Sequence, residues 1–168
     1  RYTMPKLVIN SAGDQFFVTD SSRFYFRDLL SPKLLRYTFN TDHGQGEDGE
    51  ALLDLAVGAL LWVDSVNNSG VAAPFSWRFE QDGSIRVEAY DKPDEVYLVQ
   101  ATNPTDRDFR LETIGPAWTR TPLSEVENGV YIGAVPPPSS GFTAFAVELV
   151  YETVPLIGDS PVRQALTT

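Results

Sequence analysis

The chain contains no cysteine, one histidine and one methionine in 168 residues. Without cysteine there is no disulfide, no thiol nucleophile and no zinc–thiolate site, although this absence does not separate one cellular compartment from another. Cations are also scarce: 13 Lys and Arg stand against 23 Asp and Glu, a formal net charge of −10. That sign repels nucleic acid and anionic membrane surfaces, so neither is expected as a partner. No apolar run is long enough to span a bilayer, and no secretory-type stretch is read ahead of the first apolar segment. The nucleophile-elbow pattern G-x-S-x-G is missing throughout. What remains is an ordinary globular balance, 42% apolar and 21% charged.

The stretch from Pro5 to His43 organises the reading. Leu7, Val8 and Ile9 form a short apolar run that ends in Ser11-Ala12-Gly13-Asp14. Asp20 and Ser21 are good N-cap types for a short helix over Ser22–Leu29, on which Phe24, Tyr25 and Leu29 could share a face, and Ser31-Pro32 stops it. A second strand-like run from Lys33 to Phe39 ends in Asn40-Thr41-Asp42-His43-Gly44. Strand, crossover helix and strand predict a parallel pair with both following loops at one sheet edge, where open α/β sheets place ligands. After the acidic loop around Gly44–Gly49, apolar residues recur at helical spacing from Glu50 to Val66. This predicts a largely buried helix that packs on the sheet, orients the His43 loop and ends at Asn67-Asn68-Ser69-Gly70. Two parallel strands make a poor sheet by themselves, so the chain is expected to be the C-terminal part of a longer polypeptide or one product of a cleavage.

Beyond Pro74 the pattern changes. Phe75, Trp77 and Phe79 alternate with polar residues, Asp82-Gly83 marks a hairpin turn, and Ile85, Val87 and Ala89 alternate back. Further strands are expected over Val96–Thr102, Phe109–Ile114, Val130–Val135 and Phe142–Glu152. Short strands at this spacing suggest an immunoglobulin- or fibronectin-like β-sandwich. The predicted organisation is therefore a βαβα unit over residues 1–70, a β-sandwich over 71–154 and a peripheral tail over 155–168.

Asp14 and His43 carry the candidate chemistry. An acid past one strand and a base past its parallel neighbour form two thirds of a hydrolytic triad, with Asp14 holding the imidazole and His43 moving the proton. Asp14 is equally a residue type that closes a turn or caps a helix, and a lone histidine is most often an ordinary surface residue. Asp20 reads as a cap first, Asp42 as a loop-shaping neighbour. Neither Ser11 nor the Ser21-Ser22 pair sits on a nucleophile elbow, so these residues in isolation are not expected to hydrolyse esters or amides by this mechanism. Asp91–Glu95 and the pair Asp106 and Asp108 lack EF-hand spacing and read as solvated turns; no metal or other cofactor is implied. Asn67-Asn68-Ser69 fits a glycosylation sequon that is common by chance, and Trp77, Tyr97, Trp118 and Phe142 could form a carbohydrate face or simply core.

The segments MPKLVINSAGDQFFVTDSSRFYF and LRYTFNTDHG, and later LVQATNPTDRDFRLETIGPAWT and GFTAFAVELVYE, resemble the PhoPQ-activated pathogenicity-related proteins. The resemblance extends to about Thr153. It implies an α/β-hydrolase-like domain with an appended β-rich domain, and export from the bacterial cytoplasm to the periplasm or beyond. It also implies Asp14 as triad acid, His43 as triad base, and a serine on a preceding segment or second chain. The expected function is thus the C-terminal portion of a serine-hydrolase-like protein acting on acyl or peptide bonds. The alternative is a non-enzymatic binding module centred on the β-sandwich.

Overall fold

A computed structural model describes residues 2–30, 32–46, 49–68, 75–153 and 162–167. Two strands, β1 (Lys6–Ser11) and β2 (Lys33–Thr38), pair in parallel, with Lys6 opposite Lys33 and Ser11 opposite Thr38. The connection between them is not the crossover α-helix that the sequence pattern predicts. It carries only two 3₁₀ turns, Ser21–Phe24 and Phe26–Asp28, and neither buries a residue. Phe24-Tyr25-Phe26 has weak helix propensity, and Phe24 is exposed, so no apolar face holds a longer helix in place. Lys33 arrests the second turn instead: its ammonium donates to the carbonyl oxygens of Phe26, Arg27 and Leu29 at 2.7, 2.9 and 2.8 Å. Carbonyls left over at a helix end are thereby satisfied from outside. Asp20 makes no side-chain cap; its carboxylate pairs with Arg23 and Arg107.

The helix α1 (Gly49–Asn68) follows β2. It is less buried than its apolar content suggests, with Leu52, Leu53, Leu60 and Val63 all exposed. Its inner side meets β2 through Arg36, a buried side chain paired with Asp54, and a Cβ on Gly58 would collide with that guanidinium. Trp62 packs against the main core.

The rest is β-structure. Strands β3 (Phe75–Phe79), β4 (Ile85–Ala89), β7 (Glu125–Glu127) and β8 (Val130–Gly133) form one antiparallel sheet in the order β3-β4-β8-β7. The other sheet runs β10-β9-β5-β6, built from β5 (Glu95–Asn103), β6 (Thr119–Pro122), β9 (Phe142–Thr153) and β10 (Val162–Thr167). Phe75, Ile85, Val87 and Tyr131 of the first sheet share a core with Val96, Val147 and Leu149 of the second, and Leu34 of β2 joins them. On the opposite face of β5, Val99 and Ala101 pack with Leu35 and Tyr37 of β2 and with Phe109 and Trp118. A strand covered on both faces shows this alternation.

Ten strands and two α-helices among the described residues overturn the α/β-hydrolase-like βαβα expectation, because strands and helices do not alternate along the chain. The β-rich arrangement fits a sandwich. Phe109–Ile114 is not a strand: Leu111–Ile114 makes a single α-helical turn, α2. The sequence pattern missed β6, β7 and β10. Strand β10 pairs antiparallel with β9, in the stretch taken for a tail. The interdomain boundary expected near residues 67–74 and the helix stop at Ser69-Gly70 lie largely outside the described residues, as does Ser31.

Candidate functional site

The loops after β1 and β2 are zipped together. Ala12 N–H donates to Thr38 O at 2.9 Å and Gly13 N–H to Thr41 O at 3.0 Å. The Ser11 hydroxyl, fully buried, bonds the Thr41 hydroxyl at 2.8 Å. Gly13 is pressed between the two loops and α2: a Cβ there would lie 2.9 Å from the Leu111 side chain and hard against Thr41 O. Only glycine fits that approach.

Asp14 is then delivered into a socket of donors. Its Oδ1 accepts the backbone N–H of Phe16 at 2.7 Å and of Phe17 at 2.9 Å, an Asx-type turn. Its Oδ2 meets His43 Nδ1 at 2.9 Å. Burial alone would raise the Asp14 pKa, but the bonds from Phe17, His43 and Phe16 together hold it below the ordinary value. An ionised carboxylate at Nδ1 makes that nitrogen the N–H donor, so in the neutral ring the lone pair lies on Nε2. The ring sits edge-on to Phe16, centroids 5.0 Å apart, and tilted against Phe17 at 5.8 Å. Its backbone N–H donates to Gln15 Oε1 at 3.3 Å. Asp14 is only 5% exposed at its side chain, whereas His43 is 47% exposed. The acid is buried and fixed, and the base reaches solvent.

The structure thus brings Asp14 and His43 together and separates the other sequence candidates. Asp42 shapes the loop, accepting the Gly44 N–H at 2.9 Å. Ser11 is tied to Thr41, and Ser22 bonds the Tyr37 hydroxyl at 2.8 Å. Among the described residues no serine bonds the His43 ring and no cluster of three metal-ligating side chains occurs. The Asp108 carboxylate, weighed as a cation ligand, is held far below the usual carboxylate range, chiefly by the Arg110 guanidinium, and also accepts the Thr113 hydroxyl. Trp77, Trp118 and Phe142 of the aromatic set line one cleft, while Tyr97 lies beneath Arg120.

Several contributors were invisible in the pattern. Phe16 and Phe17 read as generic apolar residues, yet they supply both the ring contacts and the amide donors. Asn40 takes a left-handed conformation, φ 59°, and clamps a segment 78 residues away. Its amide donates to Trp118 O at 3.0 Å and accepts the Trp118 N–H at 2.9 Å. Asparagine directly after a strand was the available signal, since it tolerates this conformation better than most residues.

The chain is similar to the autocrine proliferation repressor protein A of Dictyostelium discoideum, 25% identical over 172 aligned positions that take in 90% of this chain and 34% of the relative. It therefore spans about a third of the length of that protein. No solved structure matches. The family model described as PhoPQ-activated pathogenicity-related protein matches residues 1–110, and on that match the chain belongs to the PhoPQ-activated pathogenicity-related family.

Proposed function

We propose that these residues are part of a serine-hydrolase-like protein and supply the acid and the base of a Ser-His-Asp triad, whose serine is contributed by polypeptide outside them. One observation carries this reading: a buried carboxylate fixed by two backbone amides holds Nδ1 of a half-exposed imidazole at 2.9 Å. In such a site His43 takes the serine proton at Nε2 and returns it to the leaving group, while Asp14 keeps the tautomer and stabilises the imidazolium. Acyl or peptide bonds are the substrate class. The absence of G-x-S-x-G from this sequence and the greater length of the relative both agree with a nucleophile placed elsewhere. The family also supports a place in the bacterial envelope or outside the cell, and no helix among the described residues is long and apolar enough to cross a membrane.

The test is active-site labelling of the full-length protein with a fluorophosphonate serine probe. Labelling is expected in the parent and absent in His43→Ala, with Asp14→Asn slower by up to about 10⁴-fold through loss of the correct tautomer. Labelling that survives His43→Ala unchanged would refute the assignment. A second reading is a non-catalytic binding module, favoured by the large cleft beside the sandwich.

A further inference from the structure

Phe16 and Phe17 are 70% and 61% exposed, yet both are anchored. Their backbone N–H groups are the two donors on Asp14 Oδ1, at 2.7 and 2.9 Å. The carboxylate that holds the imidazole therefore also holds the turn that carries both rings. Centroid separations of 5.0 and 5.8 Å put each ring in van der Waals contact with His43. Among the described residues no other aromatic ring touches the imidazole.

Support of the imidazole accounts for only part of this arrangement. Rings whose work is packing bury nearly all of their surface, as Phe109 and Trp118 do. Here most of each ring stays in water beside the half-exposed histidine. The two rings meet the imidazole at 79° and 34°, so they are not coplanar and present two differently tilted apolar surfaces at its side. Apolar surface held in water at a polar reacting group is the composition of a small-molecule site.

We propose that Phe16 and Phe17 form the leaving-group subsite beside His43 and select substrates whose departing alcohol or amine carries an aromatic or bulky apolar group. This role rests on the hydrolase reading above. In that chemistry the serine oxygen bonds the acyl carbon and its proton passes to His43 Nε2. The carbon–oxygen or carbon–nitrogen bond then breaks, and the same proton leaves on the departing atom. That atom stands about 3 Å from Nε2 when the proton moves. A ring already touching the imidazole is thus within reach of the next few atoms of the departing group, whichever acyl chain the substrate carries.

The experiment labels the full-length protein with two probes that share one alkylphosphonyl group and differ only in what the serine displaces from phosphorus. One releases fluoride, too small to touch either ring, and the other releases para-nitrophenoxide. Phe16→Ala with Phe17→Ala leaves the backbone N–H groups on Asp14 in place. It is expected to slow the nitrophenyl probe about tenfold more than the fluoride probe, and Phe16→Leu with Phe17→Leu to recover most of that difference. Equal slowing of both probes would leave the rings as supports for the imidazole and overturn the proposal while the hydrolase reading stands. A parent that reacts with neither probe would remove the hydrolase reading and the subsite with it. A melting temperature lower by more than about 5 °C in the alanine variant would show that other polypeptide covers the rings, which overturns the proposal as well.

Discussion

Asp14 does two jobs that substitution can separate. Replacing it with alanine removes the acceptor of the Phe16 and Phe17 N–H groups and the partner of His43 Nδ1. An orphaned donor costs about 1–3 kcal/mol, and because Phe16 and Phe17 are exposed enough for water to return, the low end applies. With a further few tenths for a partner to a half-exposed ring, Asp14→Ala should lose about 2–3 kcal/mol. Asp14→Asn keeps an oxygen for the two amides and should lose only about 1 kcal/mol, but its NH₂ faces Nδ1 and forces the wrong tautomer. Urea denaturation should therefore rank alanine well below asparagine, while serine-probe labelling falls in both. The Asp14 pKa is lowered on folding, so its contribution is present above the unfolded value of 3.8 and is lost as pH falls through the folded one. The stability gap between the parent and Asp14→Asn should accordingly narrow when denaturation is repeated below about pH 4. Equal destabilisation by asparagine and alanine, or a gap that widens on acidification, would refute this reasoning.

Other expectations rest on separate features. Gly13→Ala should push the two loops apart at Thr41 and Leu111, costing about 2 kcal/mol and reducing probe labelling; intact labelling would show that the loops adjust independently. Gly58→Ala improves helix propensity by about 1 kcal/mol yet should lower the melting temperature, because its methyl displaces the Arg36 guanidinium from Asp54. Glu148 is buried, with one oxygen on Arg120 at 2.8 Å and the other without a partner among the described residues, and burial raises its pKa against the pull of Arg120. Its contribution is present below the unfolded value of 4.5 and lost as pH rises through the folded one, so Glu148→Gln should flatten the stability profile above that value, as denaturation across pH would show.

The sequence was most readable where one local rule governed. The β3–β4 hairpin follows from Phe75/Trp77/Phe79 alternation and Asp82-Gly83, and the long helix from its apolar period. The meeting of Asp14 and His43 was legible because each follows a strand of one parallel pair. Distant partners were not. Lys33 reaching back to three carbonyls, the edge strands β6 and β7, and β10 joining β9 are all decided by other parts of the chain. Periodicity in β6, Thr119–Pro122, is absent because all four residues are exposed. The helical face of α1 misled in the opposite direction: apolar residues at the right spacing do not say which of them meets a neighbour.

The Asn40 clamp ties the loop that carries His43 to an event later in the life of the chain. Asn40 is three positions before His43, and its two bonds to Trp118 form only once a chain segment 78 residues further on has been synthesised and seated. Until that segment is in place, Asp14 and His43 are present in sequence while Asn40 lacks the partner that holds their loop. On the proposed reading, activity would wait for the β-rich part to fold, a dependence that runs through one asparagine.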